Sequence, residues 1–117
     1  MSSAERGQQA VTLAARFLES RDLEIIERNW RTRYCELDLI ASGGEVVHFV
    51  AVKYRSDPGY GGGLDSITAA KQTRLTRAAL AWCHQHHYSG AYQIDVISVI
   101  GDLASPEFDW LPNAAGL

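Results

Sequence analysis

The last forty residues, 78–117, contain no lysine or arginine, and the chain as a whole carries a net charge of −3. Bulk charge therefore gives no ground for unspecific attachment to nucleic acid. Cysteine is scarce as well: Cys35 and Cys83 stand far apart with no CxxC pair, which argues against a disulfide framework and a zinc ribbon. No run of eighteen apolar residues occurs, so no membrane-spanning helix is expected. The opening "MSSAERGQQAV" lacks the basic segment followed by an apolar stretch that a secretory signal needs. The expectation is a cytoplasmic protein with no membrane partner. Internal repeats, low-complexity segments and linkers are also missing.

What is present suits a folded domain. In 117 residues, 46% are hydrophobic, enough for one core and too few for two ordinary ones, so residues 1–117 read as a single domain. The basic residues are concentrated in its middle: residues 28–77 hold eight basic and five acidic side chains, between acidic flanks. Such segregation can build a local positive surface that the whole-chain sum hides.

Ala10, Leu13, Ala14, Phe17 and Leu18 recur at three- and four-residue intervals and predict a helix from Glu5 to Arg21. "LEIIERNW" reads as a strand. "ELDLIA" and "VVHFVAVK", joined by "SGGE", read as a hairpin, because tight hairpin turns need positive φ and glycine supplies it. "SDPGYGGGLDS" is a loop whose Asp65 or Ser66 can cap a helix from about Ser66 to His87, with Lys71, Arg74 and Arg77 along one side. "GYGGGLDS" lacks the GKS/T ending of a nucleotide-binding loop. "YQIDVISVI" is apolar enough for a central strand, and the tail, about 102–117, reads as an irregular wrap. The order predicts an α/β sandwich of helices over a small mixed sheet.

If Gly43 and Gly44 form the turn, Asp38 faces Phe49 and Glu36 faces Ala51. Alternation then sends Glu36, Asp38, Ala51 and Lys53 to one side of the sheet, and Leu37, Leu39, Val46, His48, Val50 and Val52 to the other, better core side. Two readings of the polar side stay open. One is a cross-strand salt bridge on a partly solvated edge. The other is a site in which carboxylates hold a hard divalent cation and Lys53 assists chemistry at a phosphate. His48 reads as a hydrogen-bonded core histidine, and His84, His86 and His87 as solvated residues at a helix end rather than a transition-metal site.

Several segments together resemble the YraN family of predicted endonucleases, within the PD-(D/E)xK superfamily and related to archaeal Holliday-junction resolvases. They are "RNW", "ELDLIA" for GEIDLI, "FVAVKYR" for FVEVKxR, "YGG", "KQTRL", and "IDVISV" for RFDVV. The resemblance implies a restriction-endonuclease-like α/β/α sandwich, Mg²⁺ or Mn²⁺ as cofactor, and hydrolysis of DNA, with branched or single-stranded forms among the substrates. It matches Asp38 to a metal-binding aspartate, Glu36 to the glutamate of GEID and Lys53 to the lysine of ExK, so the catalytic set would be Asp38, Lys53 and Glu36, and the metal set Asp38 and Glu36.

The chain also departs from that pattern. Ala51 occupies the ExK glutamate position, Val11 a glutamate position of the first helix, and Cys35 the glycine before Glu36. Three functions follow as alternatives: a metal-dependent endonuclease weakened at Ala51, in which Glu36 opposite Ala51 partly replaces the lost ligand; a non-cleaving DNA-binding protein of nuclease fold; or a structural adaptor in DNA processing whose acidic C-terminal region meets a protein partner. Phosphate contacts would come from Arg31, Arg33, Arg55, Lys71, Gln72, Arg74 and Arg77. A homodimer is expected by analogy with resolvases.

Overall fold

The first apolar stripe forms the helix its spacing predicts. In the computed structural model, which describes residues 2–56 and 68–114, helix α1 spans Ser3–Glu19 and buries Ala10, Val11, Ala14, Ala15 and Leu18. Its N-cap is Ser2, whose hydroxyl accepts the N–H of Glu5 and satisfies a donor that the first turn leaves unpaired. Strands β1 (Glu24–Arg31), β2 (Glu36–Gly43) and β3 (Val46–Arg55) follow, then helix α2 (Ala69–Gln85) and strands β4 (Ala91–Ile100) and β5 (Glu107–Leu111).

The five strands form one mixed sheet in the order β1-β2-β3-β4-β5. All neighbours are antiparallel except β3 and β4, whose parallel pairing requires a crossover, and α2 lies within that crossover. "YQIDVISVI" is thus an interior strand, as its apolar run predicts. Helix α2 is capped by Thr68, whose hydroxyl accepts the N–H of Lys71. Asp65, expected to cap it, and Ser66, its alternative, lie outside the described residues, as do Pro58, Tyr60 and the glycines of that loop. No helix among the described residues is long and apolar enough to cross a membrane.

The helices cover opposite faces of the sheet. Leu75, Ala78, Ala79 and Trp82 of α2 pack with Ile40, Val47, Phe49, Ala51, Ile94 and Val96. The buried side of α1 packs with Leu39, Ala41, Val50, Ile97 and Val99. This α/β/α layering gives the hairpin two buried faces rather than one better core side. Leu37 joins the α2 cluster although Leu39 joins the α1 cluster. Regular alternation fails between them, where Asn29 of the neighbouring strand adopts φ 51° between the pairs Arg28↔Leu39 and Trp30↔Leu37.

The hairpin register differs from the predicted one by one step of each strand. Gly43 pairs with Val46, and the turn residues are Gly44 at φ 60° and Glu45 at φ 67°. Two consecutive left-handed residues make the tight turn whose twist matches antiparallel strands. Ile40, not Asp38, therefore faces Phe49. Continued past Leu39↔Val50, this register would set Asp38, not Glu36, against Ala51.

The tail is also more regular than expected. Residues Glu107–Leu111 pair with β4 as a fifth strand, because Phe108 and Trp110 alternate inward against Phe17. A buried carboxylate anchors this edge: Asp95, 0% exposed, accepts from Gln93 Nε2 (2.8 Å), Trp110 Nε1 (3.1 Å) and the Asn113 N–H (2.9 Å). His48 Nδ1 lies 2.7 Å from the same carboxylate, so His48 is hydrogen-bonded in the core as its position predicts. Four partners on one carboxylate offset the cost of burying it.

Candidate functional site

Beyond Leu39↔Val50 the ladder between β2 and β3 has no further paired residues, while β3 stays paired to β4 through Arg55. The side chain of Asp38 enters the gap. Its Oδ2 accepts the N–H of Val52 at 2.8 Å, taking the place of a strand carbonyl. The two strands separate here, and a cleft of about 560 Å³ lies beside the opening, between β2, the β1–β2 turn and the first half of α2.

Among the described residues lining this cleft are the carboxylates Glu36 and Asp38, and five cations: Arg31, Arg33, Lys71, Arg74 and Arg77. Five of the eight basic residues in the middle of the chain thus converge on one concave surface, although they come from a strand end, a turn and a helix. Ala51, 2% exposed, also lines the cleft and offers no donor. Arg55 and Gln72 are not among the lining residues: Arg55 closes β3, and Gln72 sits beside Lys71 on α2. Val11 is buried under the opposite face, in the α1 cluster, away from the cleft.

Electrostatics at the cleft reflect burial and crowding. Removal from water pushes the Asp38 carboxyl above its ordinary pKa, helped by the neighbouring Glu36 charge, while the Val52 N–H and the Lys71 ammonium oppose that rise. Lys53 is shifted the other way: desolvation lowers its pKa, and Lys71 and Arg55 reinforce the effect. The cation that acts on Asp38 is therefore Lys71 from α2, which the hairpin alone could not reveal. Lys53, which the hairpin pattern places beside Asp38, is not among the residues that line the cleft.

The oxygen donors suit a hard divalent ion in one limited sense. Mg²⁺ is commonly held by one or two carboxylates together with substrate phosphate and water. Glu36 and the second oxygen of Asp38 could hold such an ion, but Ala51 withholds a third carboxylate. Among the described residues no three His, Cys, Asp or Glu side chains gather as a metal-binding group. At the far end of α2, His86 is stacked on Trp82 with ring centroids 4.2 Å apart and lies 3.5 Å from Glu27 Oε1. That arrangement packs the helix end.

The turn between β1 and β2 contributes a residue that spacing did not single out. Tyr34 is 87% exposed at the cleft. Thr32 organises the turn: its N–H donates to the Cys35 carbonyl (2.8 Å), and its hydroxyl accepts from the N–H groups of Tyr34 and Cys35 (both 3.2 Å). "TRYC" carries that local signal in its threonine, since such side chains bond the backbone two or three residues on.

Comparison with known proteins places the chain among close relatives. Residues 12–99 match the model described as "Uncharacterised protein family UPF0102". A UPF0102 protein of Colwellia psychrerythraea is 36% identical over 97% of this chain and 90% of its own length. One from Methylococcus capsulatus is 40% identical over 92% and 88%, and one from Alkalilimnicola ehrlichii 44% identical over 94% and 86%.

Proposed function

The chain belongs to the UPF0102 family, and from that premise we propose that it is a DNA-processing protein of the metal-dependent endonuclease class, which grips the phosphodiester backbone in the cleft and whose cutting is curtailed by Ala51. The observation that carries this reading is the lining of the cleft, where five cations and two carboxylates meet on one surface with Ala51, the residue that the resemblance sets at the position of the ExK glutamate.

Arg31, Arg33, Arg74 and Arg77 are exposed and suited to forked contacts with phosphate oxygens, which position a duplex or strand without reading its sequence. Burial raises the Asp38 carboxyl above its ordinary pKa, and the Val52 N–H and Lys71 partly oppose that rise. Asp38 and Glu36 are the residues that would hold Mg²⁺ or Mn²⁺. A bound divalent ion would polarise the scissile phosphate and lower the pKa of an attacking water. Lys53, whose proton affinity is reduced by desolvation, matches the ExK lysine through the resemblance and would orient that water from beside the cleft, since it is not one of the residues that line it. Because the described residues bring two carboxylates to the cleft, ion binding should depend on the oxygens that DNA itself brings.

The decisive experiment compares Mn²⁺-dependent cleavage of plasmid and branched DNA by the natural chain, Ala51→Glu, and Ala51→Glu combined with Asp38→Asn. Ala51→Glu should cut well above the natural chain, and the double variant should be silent. Equal cutting by the natural chain and Ala51→Glu would remove the role given to Ala51. No cutting by any of them would reject the endonuclease class.

A further inference from the structure

Exposed tyrosines are commonplace, but Tyr34 combines three features. It is 87% exposed, far more than the other large exposed hydrophobics among the described residues, Leu80 at 51% and Ile26 at 44%. It sits at a cleft rich in guanidinium groups. Its backbone is also fixed by the Thr32 hydroxyl, so the ring is presented from a built turn rather than from a free end. The Arg33 guanidinium carbon lies 5.7 Å from the ring centroid. A cation so placed is attracted to the ring and helps hold it in place.

Leaving a large ring in water contributes nothing to the fold, because burial is what an aromatic side chain gains from packing. A ring held beside phosphate-binding cations is suited to a flat partner. Nucleobases offer such a face only when unstacked from their neighbours; within an intact duplex both faces of a base are covered. Sequence-tolerant binding of single strands combines these same two parts, a positive groove for the backbone and an aromatic platform for the bases.

Resting on the reading of the cleft as a site for the DNA backbone, we propose that Tyr34 is a stacking platform for an unpaired base, so that the preferred ligand is DNA with a single-stranded segment, as at a branch or a frayed end. The guanidinium groups hold the phosphates on either side, and Tyr34 distinguishes open from paired DNA.

The test is binding of the full chain to fluorescein-labelled oligothymidylate and to a duplex of equal length, each across a salt series, for the natural protein, Tyr34→Ala and Tyr34→Trp. A stacked base is worth about tenfold or more in affinity. Tyr34→Ala should therefore lose about that factor on the single strand and leave duplex affinity unchanged, and Tyr34→Trp should retain single-strand binding. Unchanged single-strand affinity in Tyr34→Ala, or an equal loss on both ligands, overturns the stacking role while leaving the backbone reading intact. Absence of salt-dependent binding to either ligand by the natural chain overturns both. The side chain is almost wholly in solvent, so the alanine variant should fold normally, and circular dichroism checks that it does.

Discussion

Asp38 and Ala51 occupy the same opening in the sheet and affect it in opposite ways. Asp38 is a carboxylate kept partly out of water, with one oxygen engaged by the Val52 N–H. Its folded-state pKa lies above the ordinary value of 3.8. A raised carboxyl contributes stability that is complete below the unfolded pKa and is lost as pH rises through the folded one. At neutral pH, therefore, the ionised Asp38 opposes folding. Without divalent ions, Asp38→Asn should raise the melting temperature near pH 7, and the difference from the natural chain should vanish below about pH 3.8. Thermal melts in EDTA across that range check this; a lower melting temperature for Asp38→Asn at pH 7 would show that its charge stabilises the fold. Ala51 is legible in sequence only through the resemblance, since an alanine in a strand carries no signal of its own. Tyr34 was missed for a related reason: exposure cannot be read from a residue type that is as often buried as exposed.

At the scale of elements, the helices and first four strands follow from apolar periodicity, and "SGGE" marks the hairpin. Its exact pairing does not follow, because Gly43-Gly44 and Gly44-Glu45 are both acceptable two-residue turns and only the packing of the strands chooses between them. Face assignments survive the change for Phe49, Ala51 and Leu39 but fail at Leu37, beyond the left-handed Asn29. Strand β5 was hidden by the prolines around it and by its short length. What fixes it is a long-range feature, the Asp95 carboxylate that receives Trp110 and Asn113. Asp95→Ala would remove the buried acceptor shared by half-buried His48 and Trp110 and by the Asn113 N–H. Losing one member of a buried, charged network costs about 3–5 kcal/mol, so urea unfolding should show a loss of that order. A loss under about 1 kcal/mol, the worth of one ordinary hydrogen bond, would mean that β5 is held by its apolar contacts with Phe17.

Across the whole molecule, charge is sorted by the fold more sharply than along the chain. The lining of the cleft draws on "RTR" from the β1–β2 connection and on Lys71, Arg74 and Arg77 from α2, segments forty residues apart in sequence. Sequence showed the basic middle; only the crossover that returns α2 to the sheet brings its parts together. The acidic end is less uniform than its composition implies, since Asp95 is fully buried and committed to β5. That leaves Asp102, Glu107 and Asp109 as its exposed acids.

Binding to a labelled duplex over a salt series tests the phosphate-gripping cleft most directly. Neutralising phosphates releases counterions, so five engaged cations give a plot of log K against log salt with a slope of about −4.5. Replacing Lys71 with glutamine should make that slope shallower by about one unit and weaken binding to all sequences alike. A flat plot, or a Lys71→Gln variant indistinguishable from the natural chain, would contradict a cleft that holds DNA by its backbone.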